Sequence, residues 1–354
     1  MTKVSVIITV LNGTKWIESC FSSILKQNVT PEFDIEIVVF DDASKDDTAR
    51  QISEWKEKFQ AKNMELTLVK SDFSSPKGVG YGRNVAVERC NGDWLCFQDI
   101  DDVMMPDRIR RQLEAGLQLG NNYIIGSKFT RVPQDSTFRF TKWANNLPHD
   151  KLSVQIYTSN GPTLIMPTWF MHKDVFHRVG GFCEDGKGTP EDLIFFFKHL
   201  NVGGKLHRVD EPLLEYTYHS EATSFSVKSE TIDKIRLQQL IETEFNDKEK
   251  SQWKEGFMIW NAGRQGRKFY RSLPKEWQNR VTSFCDVDPK LIGTTFNHYE
   301  PELRKTLRNV PIVSYKEVTS PVIICMKLDL TDGAFEENLA SLNMEEGRDF
   351  ILFS

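Results

Sequence analysis

Short apolar runs alternate with amphipathic stretches through residues 4–99. The runs are rich in β-branched and aromatic residues, which favours buried strands. They are "VSVIITV" (4–10), "DIEIVVFDD" (34–42), "MELTLVK" (64–70) and "DWLCFQD" (93–99). The stretches with helical spacing are "WIESCFSSILKQ" (16–27), "ASKDDTARQISEWKEKF" (43–59) and, after a glycine-rich loop at 75–84, "VAVERCNG" (85–92). This alternation predicts a largely parallel α/β sheet.

The pattern loosens in the middle of the chain and resumes near its end. Residues 155–220 are irregular and rich in glycine, proline and aromatic residues, and "KSETIDKIRLQQLIETEF" (228–245) predicts an amphipathic helix. After the charged stretch 246–256 come further apolar runs, "FMIW" (257–260), "RVTSFCDVD" (280–288), "VPIVSY" (310–315), "PVIICMKLD" (321–329) and "DFILFS" (349–354). For a chain of 354 residues we therefore predict two α/β domains, 1–247 and a smaller one at 248–354.

Composition narrows the class of protein. With 39% hydrophobic, 27% charged and 11% aromatic residues, the chain is typical of a globular protein. A net charge of −5 excludes a uniformly basic nucleic-acid coat but allows a local basic patch. Six scattered cysteines without a CxxC pair favour reduced, buried thiols. No signal peptide or membrane span is apparent, so we expect a cytoplasmic protein without a membrane partner.

Carboxylates follow two of the predicted strands. Asp41 and Asp42 end the second strand, and Asp99, Asp101 and Asp102 end the fourth. In an open parallel sheet the ligand lies at the carboxyl ends of the strands, and oxygen ligands suit a hard divalent ion. The alternative is a solvated turn with a helix N-cap. Asp102 best fits the N-cap of the helix after Pro106, and Asp42 could be merely solvated.

Three further candidates each have an ordinary explanation. Arg83 in the glycine-rich loop is a cation that could approach a diphosphate, or part of a strand–helix turn. Glu191 and Asp192 precede an aromatic helix, where acidic residues are often simple helix N-terminal charges. His219 in "YTYHSEATS" could be a ligand, although a lone histidine is more often structural.

Taken in order, several segments resemble the GT-A nucleotide-sugar glycosyltransferases of the inverting family 2. The resemblance covers residues 3–225, and its segments are "VSVIITVLNG", "VVFDDASKDDT", "GRNVAV", "LCFQDIDDVMMP", "VGGF", "PED" and "YHSEATS". It implies a GT-A domain, and the second domain is expected to be Rossmann-like. One departure is visible: many members carry an arginine shortly before the histidine, where this sequence has Thr217. Diphosphate contacts around His219 are therefore less firmly implied.

The resemblance also implies roles for individual residues. Asp192 is expected to be the general base, with Glu191 as its neighbour and possible substitute. Asp101 is expected to hold Mn²⁺ or Mg²⁺, Asp99 to meet the ribose or the metal, and His219 to reach the metal or the diphosphate. The residues expected to bind the nucleotide sugar are Asp41, Asp42, Arg83, Asn84, Asp99 and Asn12.

A narrower resemblance runs nearly end to end. Segments of the second domain, including "IWNAGRQGRKFYRSL", "FCDVD" and "KLDLTDGAFEENLASL", resemble two-domain glycosyltransferases that galactosylate queuosine in tRNA. This implies UDP-galactose as donor, queuosine-containing tyrosine tRNA as acceptor, and a cytoplasmic location. Two alternatives stay open: a β-1,3-N-acetylglucosaminyltransferase acting on glycans, and a non-catalytic nucleotide-sugar binder.

The segment "WNAGRQGRKF" (260–269) raises two further questions. It follows a strand like a dinucleotide-binding turn, but Asn261 stands where the first glycine belongs, so the motif is incomplete. It is also basic, and the RNA-binding candidates are Arg264, Arg267, Lys268 and Arg271. The alternative for these four is a solvated helix face.

Overall fold

The computed structural model describes residues 2–247, 249–250, 252–300 and 304–354. The chain divides into two compact units, Met1–Ser153 with Gly161–Ile232, and Val154–Asn160 with Asp233–Ser354. This division falls within the helix Ser229–Leu240, whereas the sequence pattern placed it after residue 247. Within the described ranges, no helix is both long enough and apolar enough to cross a membrane.

The first unit contains an eight-stranded mixed sheet. Its strands are β1 (Thr2–Val10), β2 (Phe33–Asp41), β3 (Glu65–Lys70), β4 (Trp94–Asp99), β5 (Val103–Met104), β6 (Tyr123–Val132), β7 (Phe170–His172) and β8 (Lys205–Thr217), in the spatial order β3-β2-β1-β4-β7-β6-β8-β5. The first four strands are mutually parallel, as predicted. Strands β6 and β8 are parallel to each other, while β7 and β5 are antiparallel to their neighbours. The irregular region 155–220 thus contributes two strands that periodicity did not reveal.

In the described ranges, nine α-helices lie in the first unit or span its boundary. They are α1 (Ile17–Leu25), α2 (Thr48–Glu54), α3 (Lys56–Gln60), α4 (Val79–Glu88), α5 (Arg108–Leu119), α6 (Phe138–Asn146), α7 (Lys173–Val179), α8 (Glu191–Asn201) and α9 (Ser229–Leu240). Apolar side chains of β1, β2, α1 and α2 form the main core of the unit, from Val4 to Ile52. Its burial fixes the register of the parallel strands, because a shift by one residue would turn the apolar side chains outward.

Helix α4 starts earlier than its sequence suggested. The glycine-rich segment was expected to be a loop, but the helix begins at Val79 and includes Gly80 and Gly82. A Cβ on Gly80 would lie 2.0 Å from the carbonyl oxygen of Cys183, and one on Gly82 would lie 2.8 Å from Thr9 and Phe40 side-chain carbons. The glycines therefore allow the first turns of α4 to approach both the sheet and the backbone at Cys183 closely.

The second unit is built around a six-stranded sheet. Its strands are β9 (Phe257–Trp260), β10 (Val281–Asp286), β11 (Thr295–Glu300), β12 (Lys305–Ser314), β13 (Val322–Ile324) and β14 (Phe350–Leu352), in the order β11-β12-β10-β9-β13-β14. All neighbours are parallel except β11, which is an antiparallel edge strand. If β11 is left out and the other five strands are numbered 1 to 5 in chain order, their spatial order in the sheet is 3-2-1-4-5. This is the arrangement of a Rossmann-type sheet.

Short helices flank the second sheet. They are α10 (Gln252–Glu255), α11 (Arg264–Ser272), α12 (Lys275–Gln278) and α13 (Ala334–Ala340). The predicted helix over 228–245 is present as α9, and it continues as a π-helical turn over Ile241–Phe245.

Candidate active site

The ends of three neighbouring parallel strands meet at one edge of the first sheet. Val10 of β1 pairs with Asp41 of β2, and Thr9 of β1 pairs with Asp99 of β4. Asp41 and Asp99 therefore lie on either side of the end of β1. The loops that follow these strands carry the other acidic candidates, so this edge concentrates negative charge.

Three carboxylates of this edge form a cluster suited to a cation. Asp99, Asp101 and Asp102 each offer an oxygen, and these oxygens lie within 4.8 Å of one another. The Nε2 atom of His219 lies 2.7 Å from Oδ2 of Asp101. Burial and then the charge of Asp99 raise the pKa of Asp101, although His219 lowers it. A divalent cation would relieve this repulsion, and the oxygen-rich donor set fits Mn²⁺ or Mg²⁺.

Asp102 differs from its two neighbours. Its side chain is fully buried, Oδ1 accepts a hydrogen bond from the N–H of Thr217, and Oδ2 has no partner among the described residues. Burial, followed by the charges of Asp101 and Asp99, raises its pKa well above the ordinary value. The expected N-cap role is wrong, because Asp107 occupies the N-cap position of α5. Through its hydrogen bond with Thr217, Asp102 instead connects the loop after β4 to the end of β8.

Arg83 connects the acidic cluster to the start of α8. It projects from α4, is almost fully buried, and donates to Oδ1 of Asp99 at 3.0 Å and to Oε1 of Glu191 at 2.6 Å. Burial alone would lower the pKa of Arg83, but Asp99 and Glu191 raise it. The guanidinium is therefore charged and is placed between two groups of candidate residues that are distant in sequence.

Asp192 has the properties of a proton acceptor near neutral pH. It is the second residue of α8, and its Oδ1 accepts the N–H of Leu193 at 2.7 Å. Burial and the charge of Glu191 raise the pKa of Asp192 to about 7, against the lowering effect of Arg83. Its Oδ2 lies 3.9 Å from the place a Cβ on Gly161 would take. The glycine thus leaves space beside this carboxyl oxygen.

The carboxylates at the end of β2 hold the surrounding loops. Oδ1 of Asp41 accepts from the N–H of Ser44. Asp42 is buried, and its two oxygens accept from the N–H groups of Lys77 and Gly78 at 2.8 and 2.7 Å. The alternative of a solvated Asp42 is therefore wrong: this carboxylate holds the segment that leads into α4.

Two asparagines brace neighbouring loops. Oδ1 of Asn12 accepts from the N–H of Lys45 at 2.8 Å, which links the turn after β1 to the loop after β2. The Nδ2 group of Asn84 donates to the carbonyl of Phe182 and to Glu184, while its Oδ1 accepts from the N–H of Phe182. These bonds give both asparagines a positioning function at the edge where nucleotide binding was expected.

Aromatic side chains around His219 were not anticipated from the sequence. The Trp16 ring lies 5.0 Å from the His219 ring, with the ammonium of Lys15 4.2 Å from the Trp16 ring. Tyr218 and Phe225 are exposed and contact each other edge to face at 5.7 Å. The available signal was the recurrence of aromatic residues in "EYTYHSEATSF" (215–225), which periodicity alone does not interpret.

In the second unit, side chains of the protein accept hydrogen bonds from the N–H groups of the turn after β9. Asn261 has a φ of 101°, its Oδ1 accepts from the N–H of Gly263, and the N–H of Ala262 donates to Asp286. In a dinucleotide site such N–H groups face the phosphates. Here a carboxylate of the chain takes one of them, which agrees with the incomplete glycine motif.

The four basic candidates lie on α11 in different surroundings. Arg264 and Arg271 are exposed, and Lys268 forms an ion pair with Asp233 at 2.6 Å. Arg267 is half-buried against Phe296, at 5.3 Å from the ring. Arg264, Lys268 and Arg271 share one helix face, so a positive stripe is present, although part of its charge is neutralised.

Comparison with known proteins agrees with this geometry. Residues 5–180 match the model of the glycosyl transferase family 2. Over this region, just under half of the chain, the sequence is similar to that family. An uncharacterized glycosyltransferase of Rickettsia conorii is 26% identical over 237 residues, covering 64% of this chain and 36% of the relative. The poly(ribitol-phosphate) β-N-acetylglucosaminyltransferase TarS of Staphylococcus aureus is 31% identical over 206 residues, covering 57% of this chain and 33% of TarS.

These relatives are longer than the matched part, which spans about a third of their length. Among solved structures, residues 1–349 of S. aureus TarS in complex with UDP-GlcNAc superpose with a TM-score of 0.53 at 18% identity, covering 71% of this chain and 70% of the TarS chain. The superposition confirms the predicted GT-A fold of the first unit, and the expected second α/β sheet is present.

Proposed function

We propose that this protein is a family 2 glycosyltransferase that transfers a sugar from a UDP-sugar to an acceptor hydroxyl with inversion at the anomeric carbon. The observation that carries the proposal is the bridge formed by Arg83. It places the acidic cluster, through Asp99, a fixed distance from Glu191 and the adjacent Asp192. One end of this arrangement suits a diphosphate with its cation, and the other suits a general base.

The reaction needs one base and one stabilised leaving group. The acceptor oxygen forms a bond to the anomeric carbon, the bond from that carbon to the diphosphate oxygen breaks, and UDP departs with the electron pair. Asp192 takes the acceptor proton, and its pKa of about 7 suits that role. Asp101, Asp99 and His219 would hold the divalent ion, which when bound offsets charge on the diphosphate.

The remaining candidates are proposed to hold the nucleotide. Asp41 would read the uracil ring, on the carboxyl edge of the sheet beside the acidic cluster. Asp42, Asn12 and Asn84 would act by positioning the loops that enclose the nucleotide, since their side chains bond to backbone groups of those loops. Arg83 would lie near the diphosphate while remaining paired to Asp99 and Glu191.

For the donor and acceptor we propose galactose and queuosine-containing tyrosine tRNA, with the protein acting in the cytoplasm. The end-to-end sequence resemblance supports this choice. Two features of the surface are in accord with a nucleic-acid acceptor. The exposed rings of Tyr218 and Phe225 follow the candidate metal ligand His219 and could stack on an unpaired base. The basic face of α11 could contact the RNA backbone.

A second candidate function is N-acetylglucosaminyl transfer to a glycan. The 31% identity to TarS, an N-acetylglucosaminyltransferase by name, favours this donor. It requires neither the basic face of α11 nor the stacking rings, so the two candidates differ in the acceptor as well as in the donor.

The test is a transfer assay with radiolabelled donors. Purified protein and Mn²⁺ are incubated with UDP-galactose or UDP-N-acetylglucosamine, and with one of three acceptors: tyrosine tRNA that contains queuosine, tyrosine tRNA that lacks it, or a glycan. Label that enters only queuosine tRNA, only from UDP-galactose, and is lost in both Asp192→Asn and Asp101→Asn proteins would support the proposal. Label in a glycan but not in tRNA would favour the second candidate. UDP binding without transfer of label to any of the acceptors would favour a non-catalytic binding module.

A further inference from the structure

Arg131 of β6 is a buried cation that forms no ion pair with the described residues. Its side chain is 9% exposed, and its Nε atom is enclosed without a hydrogen-bond acceptor among the described residues. The guanidinium carbon lies 3.7 Å from the centre of the Tyr216 ring and 5.8 Å from that of Tyr218. Phe129 and Phe140 complete the aromatic surround at 5.7 and 6.0 Å. The rings hold the guanidinium in place but do not neutralise it.

The other buried arginines of the described chain are all paired. Arg83 binds two carboxylates, Arg208 and Arg236 each bind an aspartate, and Arg108 donates to side-chain amides and backbone carbonyls. Burying a charge without such partners is costly, and proteins normally avoid it. The exception at Arg131 therefore indicates a place that an anion from outside the chain completes.

The position of Arg131 relates it to the acidic cluster. In the β6–β8 ladder Arg131 pairs with Tyr216. The next residue, Thr217, donates its N–H to Asp102, and His219 two positions further contacts Asp101. Burial, and then the charge of Asp102, raise the pKa of the Tyr216 phenol, whereas Arg131 lowers it. The acidic cluster and Arg131 therefore act in opposite directions on the pKa of the same phenol.

We propose that Arg131 binds the diphosphate of the nucleotide sugar and stabilises the charge that develops on it as the leaving group departs. This inference rests on the proposed transfer function. A diphosphate that approaches three carboxylates is repelled by them. A cation on β6, next to the β8 strand whose end bonds to Asp102, would offset that repulsion together with the metal ion. Because Arg131 pairs with no carboxylate of the described residues, its charge is available to the ligand.

The experiment compares nucleotide binding by Arg131→Met, Arg131→Lys and wild-type protein. Calorimetry is done with UDP, UMP and uridine, each with Mn²⁺ and with a chelator. The comparison separates the contribution of the phosphates to the binding free energy from those of the base and of the metal ion. We expect Arg131→Met to bind UDP about 10- to 100-fold more weakly, as for loss of a charge-assisted hydrogen bond, and to bind uridine unchanged. Turnover should fall by about 100-fold or more, with Arg131→Lys intermediate.

Thermal unfolding excludes a merely structural explanation. Methionine in the aromatic surround removes an unpaired charge, so Arg131→Met should be at least as stable as wild type. Arg50→Met, which changes an exposed arginine on α2, is the matched control. It should leave UDP binding unchanged and should alter thermal unfolding only slightly, because the ion pairs of Arg50 with Asp47 and Glu54 are exposed.

Three results would overturn the inference. Wild-type UDP affinity in Arg131→Met, while wild-type protein transfers sugar, would remove Arg131 from the diphosphate site and leave the proposed function standing. Equal loss of uridine and UDP would mean that the pocket, and not a phosphate contact, was damaged. Reduced affinity for tRNA with unchanged affinity for UDP would assign the anion to the acceptor. If wild-type protein binds no UDP, the proposed function itself fails.

Discussion

Arg83 donates to Oε1 of Glu191 at 2.6 Å, although the two residues are 108 positions apart in sequence. The contact joins the start of α8, which carries Asp192, to α4, whose glycines bring it close to the sheet. The same guanidinium contacts Asp99 in the acidic cluster. One arginine therefore sets the spacing between the proposed base and the proposed cation site, and it also tunes the electrostatics of both.

Replacing Arg83 should affect folding stability and pH dependence together. Arg83→Met leaves two partly buried carboxylates without their partner, so we expect a loss of about 3 kcal/mol in the free energy of unfolding. Since Arg83 lowers the pKa of Asp192, its removal should shift the acidic limb of the pH–rate profile to higher pH. Urea unfolding and kcat measured between pH 5.5 and about 9 test both effects. An unshifted acidic limb would contradict this electrostatic coupling, and Arg83→Lys, which keeps the charge, serves as the control.

Asp192 should impose a pH dependence centred near neutrality. Burial and Glu191 raise its pKa to about 7, and a base acts only when deprotonated. The value of kcat should therefore rise with pH, be half-maximal near pH 7 and level above it. Asp192→Asn should lower kcat by about 10²- to 10⁴-fold and leave UDP affinity unchanged. Glu191→Gln is the comparison that tests the neighbouring carboxylate. A wild-type profile without an acidic limb would exclude Asp192 as the base.

The same pKa shift predicts an effect on stability. A carboxyl whose pKa is higher in the folded than in the unfolded state stabilises the fold at pH values below its unfolded pKa, and this contribution is lost as the pH rises toward about 7. Asp192→Asn carries no charge at any pH, so at pH 8 it should unfold at a temperature equal to or above that of wild type. Differential scanning calorimetry at about pH 5 and pH 8 measures the difference. A variant that is markedly less stable at pH 8 would contradict the prediction.

Metal removal should abolish transfer reversibly. EDTA should remove activity, and added Mn²⁺ or Mg²⁺ should restore it, since the clustered carboxylates need a cation to accept a diphosphate. Asp101→Asn should require at least about 10-fold more metal for half-maximal activity. Asp107→Asn is a matched change at an aspartate outside the cluster and should behave like wild type. Full activity in EDTA would refute the cation site.

The close approach of α4 can be tested with one methyl group. Gly80→Ala would place a Cβ 2.0 Å from the carbonyl oxygen of Cys183, so the helix must shift and carry Arg83 with it. We expect a loss of about 1–3 kcal/mol in stability together with reduced kcat. Val79→Ala, on the preceding residue, creates no such overlap and is the control. Equal activity and stability of the two variants would show that α4 accommodates the methyl group.

Charge reversal on α11 should separate tRNA binding from donor binding. Arg264→Glu combined with Arg271→Glu reverses the two exposed arginines, and Lys268 is left intact because it pairs with Asp233. We expect weaker tRNA binding with a salt dependence reduced by about one to two phosphate contacts, and unchanged UDP affinity. Lys56→Glu on α3 is the control reversal. If the double variant retains wild-type tRNA affinity at all salt concentrations, α11 is only a solvated face.

The amino-acid sequence by itself predicted the parallel start of the first sheet, the second α/β unit and the residues at the strand ends. Those features depend on local patterns, since β-branched apolar runs form buried strands and polar residues follow them. The order of the motifs also indicated the family. Strands β6, β7 and β8 were missed because their pairing is made by residues far apart in sequence, such as Arg131 with Tyr216.

Tertiary structure alone decided which candidates share a contact and what each one does there. Asp42 and Asp102 look alike in sequence to their acidic neighbours, yet backbone N–H groups of distant loops bond to their carboxylates. The glycine-rich segment became the start of a helix because of what packs against it. The bridge through Arg83 and the unpaired charge of Arg131 have no local signature, because burial and charge pairing depend on the three-dimensional neighbours of a side chain and not on its sequence neighbours.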